Sequence, residues 1–154
     1  LALGALFLIG ALAFQVLYYF RDAIAAHYPP ARPALEALCA VAQCEIGFLK
    51  KPDLLSIEAS SLEADPRASQ VVVLRATLRN RAPFPQAFPA LELTLTDIKD
   101  QPVARRVFMP NEYRVRGPQS GGIEANAELM VQSRLQLVDI KAQGYRLYLF
   151  YPRQ

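Results

Sequence analysis

The hydrophobic rhythm of the chain changes twice. From Leu1 to Phe20 nearly every position is apolar, interrupted only by Gly4, Gly10 and Gln15, and no charge appears. A helix rises 1.5 Å per residue, so this run spans about 30 Å, the thickness of a bilayer's hydrocarbon layer. Tyr18, Tyr19 and Phe20 gather at its end, where aromatic rings favour the headgroup region, and Arg21 and Asp22 mark the aqueous boundary. The pattern predicts a single transmembrane helix over 1–20. A signal peptide fits less well, because the apolar run continues beyond Ala11 and Ala13, the small residues that would mark cleavage. A buried core helix fits least. The sequence opens on Leu1 and not on Met, the expectation for a trimmed boundary.

Residues 21–53 read as a spacer with a short helix. Helix can continue to about His27, after which Pro29, Pro30 and Pro33 block it, each lacking an N–H and restricting its predecessor. His27 reads as a solvated interfacial residue. Pro33 suits the first turn of a second helix, ALEALCAVAQ, with Leu35, Leu38, Val41 and Ala42 on one side. Cys39 and Cys44 stand five positions apart. If the segment faces an oxidising compartment, a disulfide is favoured over free thiols. A metal site would be half-built from two thiols without further ligands, and the spacing excludes a redox C-x2-C pair.

From Leu54 to Gln154 the period is two. Val72, Leu74, Ala76 and Leu78 alternate with Val73, Arg75, Thr77 and Arg79. Leu91, Leu93 and Leu95 alternate with Glu92, Thr94 and Thr96. Leu129, Val131, Leu135 and Leu137 alternate with Met130, Gln132, Arg134 and Gln136, and Tyr145, Leu147 and Leu149 with Arg146, Tyr148 and Phe150. Such alternation predicts strands with one face in a core and one in water. Leu55, Ile57 and Ala59 open the set more weakly. Residues 102–109 form a further strand of ambiguous face, and a short one is expected around Tyr113–Arg116. Turn signals stand between them at Asp65-Pro66, Pro83-Phe84-Pro85, Lys99-Asp100-Gln101, Pro110-Asn111 and Gly121-Gly122. Six or seven short strands without a long helix between them indicate a mainly β fold: an immunoglobulin-like antiparallel β-sandwich, with an open barrel as the alternative. Tyr145, at the start of the last strand, is a tyrosine-corner candidate or plain core.

Composition narrows the function. The chain is 53% apolar and carries a net charge of +3, with one histidine, two cysteines and no tryptophan. There is no phosphate-binding glycine loop, no G-x-S-x-G, no H-E-x-x-H and no pair of C-x-x-C motifs. Glu92, Glu112, Glu124 and Glu128 fall on expected solvent faces or turns. No catalytic residues, metal site or cofactor are therefore expected, and the protein is read as a non-enzyme. Arginine outnumbers lysine 13 to 4. Arg75, Arg79, Arg81, Arg105, Arg106, Arg114 and Arg116 form either a surface for anions or lipid headgroups, or a salt-bridged outer face. Phe84 and Phe88, between prolines, are either exposed anchors for a partner or rings tucked over the sandwich end. Phe108, Pro110 and Tyr113 read as closing the sandwich. The candidate interaction surface is thus Phe84, Phe88, Arg75, Arg79, Arg105 and Arg106. Nucleic acid is not expected, since the charge is modest and the aromatics belong to the core pattern.

Taken in order, the apolar helix, the Cys39/Cys44 pair, LRATLRNRAPFPQAFPALELTLTD, PVARRVFMPNEY and the closing AQGYRLYLFYP resemble a known family. It is the domain of unknown function that follows a zinc-ribbon finger and a single transmembrane helix in proteobacterial membrane proteins. Asn80 with Pro85, the Arg-Arg-x-Phe-x-Pro-x-x-Tyr run, and the terminal Gly-Tyr and Phe-Tyr-Pro carry the resemblance jointly. It implies an inner-membrane, single-pass protein with its C-terminal domain in the periplasm, and zinc ligands, if any, upstream of Leu1. On this basis the chain is expected to be a membrane-anchored interaction or ligand-sensing module with an envelope protein as partner. The alternative is a transmembrane signalling relay coupled to that finger.

Overall fold

A computed structural model of the protein describes residues 2–116, 121–137 and 142–152. The chain divides into two compact units, 1–49 and 50–154, so the second begins slightly ahead of the expected Leu54.

In the first unit, helix α1 (Ala2–His27) runs through the apolar segment and past it. Its apolar stretch has a mean hydropathy of 1.9 and is long enough to cross a membrane. Leu3, Phe7, Ile9 and Leu12 are exposed around the helix, as suits a segment that is apolar on all sides. By length and composition α1 fits a membrane anchor or a signal sequence. Past the aromatic cluster the surroundings become polar. Arg21 stacks 4.9 Å over the Tyr18 ring and donates to Glu45 O, while Asp22 Oδ1 accepts the Gly47 N–H at 2.8 Å. These bonds fold the segment after the second helix back onto the end of α1.

Prolines 29 and 30 sit in a single 3-10 turn, and helix α2 (Arg32–Ala42) follows with Pro33 in its first turn. The packed face of α2 is Leu35, Leu38, Cys39 and Ala42, an i, i+3, i+4, i+7 stripe. Val41, expected on that face, is 86% exposed because, six residues after Leu35, it points away from the i, i+3, i+4, i+7 stripe. Gln43 adopts a left-handed conformation (φ 53°), the Cys44 N–H reaches Cys39 O at 3.0 Å, and Cys39 and Cys44 are joined by a disulfide. The bridge therefore clamps the end of α2.

Among its described residues the second unit has seven strands: β1 (Leu55–Asp65), β2 (Ala68–Asn80), β3 (Ala90–Thr96), β4 (Pro102–Phe108), β5 (Arg114–Arg116), β6 (Glu128–Gln136) and β7 (Gly144–Phe150). They form two antiparallel sheets, ordered β1-β2-β6-β5 and β4-β3-β7. With β4 counted as an added strand after C, the first has the A-B-E-D order of an immunoglobulin sheet. The second departs from CFG: β4, the hairpin partner of β3, forms one edge, and β7 forms the other. One core lies between the sheets, with Leu74, Ala76, Leu78, Leu129, Val131 and Leu135 facing Leu91, Leu93, Leu95, Phe108 and Leu149.

The expected alternation holds in β2, β3, β6 and β7 and fails in β1. Leu55 pairs with Asn80 and Ile57 with Leu78, but Ala59 pairs with Thr77, so Glu58 is an extra residue. Such a bulge reverses which side chains face inward. Downstream of it Ser60, Leu62 and Ala64 stand opposite the inward Ala76, Leu74 and Val72, and Ala59 is exposed. In β4, Ala104, Arg106 and Phe108 share the inner side with Leu95, Leu93 and Leu91.

Candidate interaction surface

The motifs that stand out in the sequence prove to be internal fastenings. Asn80, at the end of β2, is fully buried. Its Nδ2 donates to the carbonyls of Phe84, Ile123 and Glu124 at 2.9–3.1 Å, and its Oδ1 accepts from Ala82 N and Gln86 Nε2. Gln86, also fully buried, exchanges backbone hydrogen bonds with Ile123 and accepts the Lys51 N–H on its Oε1. Tyr113 donates its hydroxyl to Pro89 O and Tyr151 to Ala87 O, each at 2.7 Å. Burial of these two phenols pushes their ionisation well above the ordinary tyrosine range. A Cβ on Gly144 would lie 2.7 Å from Thr96 Oγ1, so this position accepts only glycine without movement. Residues 81–89, a loop rich in proline, are thereby tied from four directions.

This arrangement corrects one expectation. Phe84 is only 6% exposed and Phe88 packs against the core, so neither ring offers a surface anchor. The burial follows from Asn80, which draws the Phe84 carbonyl inward. The Tyr145 hydroxyl meets Ser60 Oγ at 3.1 Å, across the side of the sandwich, and residues 138–141, where the backbone partner of a tyrosine corner would stand, lie outside the described residues.

The arginines are dispersed over both sheets. Arg75 pairs with Glu63, Arg79 with its cross-strand neighbour Glu128, and Arg81 with Glu58, all at 2.7–2.8 Å. Arg105 lies 3.6 Å from Glu92 on the outer face of the other sheet. Arg106, on the inner side of β4, stacks over Phe108 at 5.0 Å and lies 3.6 Å from Glu112. Exposed pairs of this kind contribute little stability individually. The structure thus does not gather Arg75, Arg79, Arg105 and Arg106 into one patch. The side chain of Arg114 lies outside the described set. Two carboxylates are held more ionised than usual. Hydrogen bonds from Arg81 and Ser56 lower Glu58. Asp65 is lowered by the Arg67 backbone N–H and then by Arg134, which bonds its other oxygen.

A different group of residues does converge. The outer face of the four-stranded sheet bears a hollow of about 270 Å³. The ladder registers set Ala59, Thr77, Met130 and Arg116 in one row across β1, β2, β6 and β5, with Ser61, Arg75 and Gln132 in the row beside it. Ala59, Ser61 and Thr77 are small, so the sheet is low there, and Arg75, Arg116 and Met130 stand around it. Arg116 donates to Gln132 Oε1 at 3.2 Å. This offers an apolar floor beside two guanidinium groups. Sequence reasoning placed Arg75 and Arg116 in the arginine cluster but passed over Ala59, Ser61 and Met130. The available signal was a pair of small outward residues in β1, and the bulge concealed their direction.

Residues 52–149 match the family model described as "Protein of unknown function (DUF3426)". The chain belongs to the DUF3426 family. The matched span begins at the turn before β1 and ends in β7, so the DUF3426 domain coincides with the sandwich. No curated protein matches the chain, and no solved structure does.

Proposed function

We propose that this DUF3426 chain is a membrane-anchored recognition module that binds without turnover. In this reading α1 is the anchor, the membrane is the inner membrane, and the sandwich stands in the periplasm. The resemblance to proteobacterial proteins with an upstream zinc-ribbon finger supports that orientation. So does the Cys39–Cys44 disulfide, which suits an oxidising compartment. The observation that carries the reading is the hollow beside Arg75 and Arg116. Its small side chains admit an apolar group, while guanidinium groups pair with carboxylate or phosphate. The partner is accordingly an envelope component that presents an anionic group next to an apolar one.

The test is site-specific photo-cross-linking in intact cells, with the probe at Thr77 inside the hollow and, as control, at Ile98 on the exposed β3–β4 turn. Discrete adducts are expected at Thr77 only, and they should disappear in the double variant Arg75→Glu, Arg116→Glu. Equal labelling at Thr77 and Ile98 would count against the reading. A reporter fused after the sandwich should be active outside the cytoplasm, and activity inside would refute the orientation.

A further inference from the structure

Each sheet has two edges, and unguarded edges template pairing with another strand. Three of the four edges carry guards. The β1 ladder is broken by two register shifts. Strand β5 is three residues long. Strand β4 opens on Pro102 and turns the charged Arg106 to the inner side, next to Phe108. Strand β7 has none of these devices; β1 of the other sheet comes near it, where Ser60 Oγ meets the Tyr145 hydroxyl. Its seven residues, GYRLYLF, run in unbroken register with β3, carry one charge, and meet no proline before Pro152. Tyr148 is 66% exposed on the outer face and stacks on Phe150 at 6.4 Å. In an immunoglobulin sheet of order CFG, a last strand lies beside the one that β7 replaces. Among the described residues no strand pairs with this edge of β7.

We propose that the edge of β7 pairs antiparallel with β7 of a second copy, centred on Leu147, so that two three-stranded sheets become one of six strands. The sequence is self-complementary in that register. Leu147 meets the partner's Leu147, Tyr145 meets the partner's Leu149, and both pairs lie on the core side. Arg146 meets the partner's Tyr148 on the outer side, and Gly144 meets the partner's Phe150. The one charge, on Arg146, is ion-paired with Asp100 of its own chain and stands off-centre, so across the joint it lies beside an aromatic ring and not its own copy. A parallel pairing would set the arginines side by side, and like charges across a ladder destabilise it. The geometry therefore selects a second copy of this chain with two-fold symmetry, the commonest form of closed assembly. This inference stands apart from the hollow on the other sheet.

The full chain in detergent micelles is the test, read by sedimentation across a concentration series. A reversible dimer is expected. Tyr148→Lys sets a lysine opposite each Arg146 and should weaken the dimer about tenfold or more. Tyr148→Glu should leave it as tight as wild type. Tyr148 is exposed, so circular dichroism should show the sandwich intact in both variants. A monomer at all concentrations overturns the proposal, as does a dimer indifferent to Tyr148→Lys. So does a monomer whose β7 amides become protected from exchange only when a foreign extended peptide is added.

Discussion

The side-chain amide of Gln86 donates to Oδ1 of Asn80 across 2.9 Å, joining two fully buried polar residues at the mouth of the β2–β3 loop. The pair satisfies backbone groups from Ala82, Phe84, Ile123 and Glu124 and from Lys51 at the start of the sandwich unit. Buried polar groups are costly when unpaired and specific when paired, so this pair fixes the loop where an apolar pair would only fill space.

Asn80→Ala should destabilise the sandwich by about 3 kcal/mol or more, because three carbonyls lose their donor and two N–H groups their acceptor. Asn80→Asp should be worse, since a carboxylate would then face those carbonyls. Urea unfolding of both variants measures the order, and an aspartate variant as stable as wild type would remove the pair from its structural role.

Tyr113 and Tyr151 should resist alkaline titration. Their burial raises the folded-state value above that of the unfolded chain, so the stability each contributes is complete below about pH 10 and is lost as pH rises further. Ultraviolet difference titration should show Tyr113 and Tyr151 ionising only on unfolding. Tyr113→Phe should cost about 1–3 kcal/mol through the unpaired Pro89 carbonyl. Titration of Tyr113 and Tyr151 while the fold persists would falsify the assignment.

Acid should act through Asp65. The Arg67 backbone and Arg134 hold its carboxyl below the usual range, so the unfolded chain takes up the proton first. The stability it contributes is therefore complete above about pH 4 and lost as pH falls through the lower, folded-state value. Between pH 7 and pH 3 the wild type should lose more of its urea midpoint than Asp65→Asn does. An equal loss in the two proteins would assign the acid sensitivity elsewhere.

Reduction of Cys39–Cys44 should loosen the end of α2 and leave the sandwich melting as before, because the bridge closes a short loop wholly within the first unit. Mass mapping of alkylated native protein should find both cysteines bridged. Calorimetry before and after reduction tests the rest, and a large drop in the sandwich transition would contradict it.

Much of this architecture was legible because period-two patterns survive wherever a ladder is regular. Leu74, Leu78, Leu93, Val131 and Leu149 are core residues in the sequence pattern and in the structure alike. Three things were not legible. The bulge at Glu58 reverses the faces within β1, and nothing in Ser56–Ser61 announces an extra residue. The prolines around Phe84 leave its ring either exposed or tucked in, and the choice depends on Asn80, Ile123 and Glu124, the last two more than 40 positions away from Asn80. The hollow needs side chains from four strands, and only the registers of β1, β2, β5 and β6 bring Ala59, Thr77, Met130 and Arg116 into one row.

The surplus residue at Glu58 also governs how family members are to be compared. A relative with one amino acid fewer between Ile57 and Ser60 would keep the same inward and outward pattern from Ser60 onward only by opening a gap at that place. Without the gap, one alignment column would mix interior and solvent positions, and substitutions across the first strand would look random where they are in fact orderly.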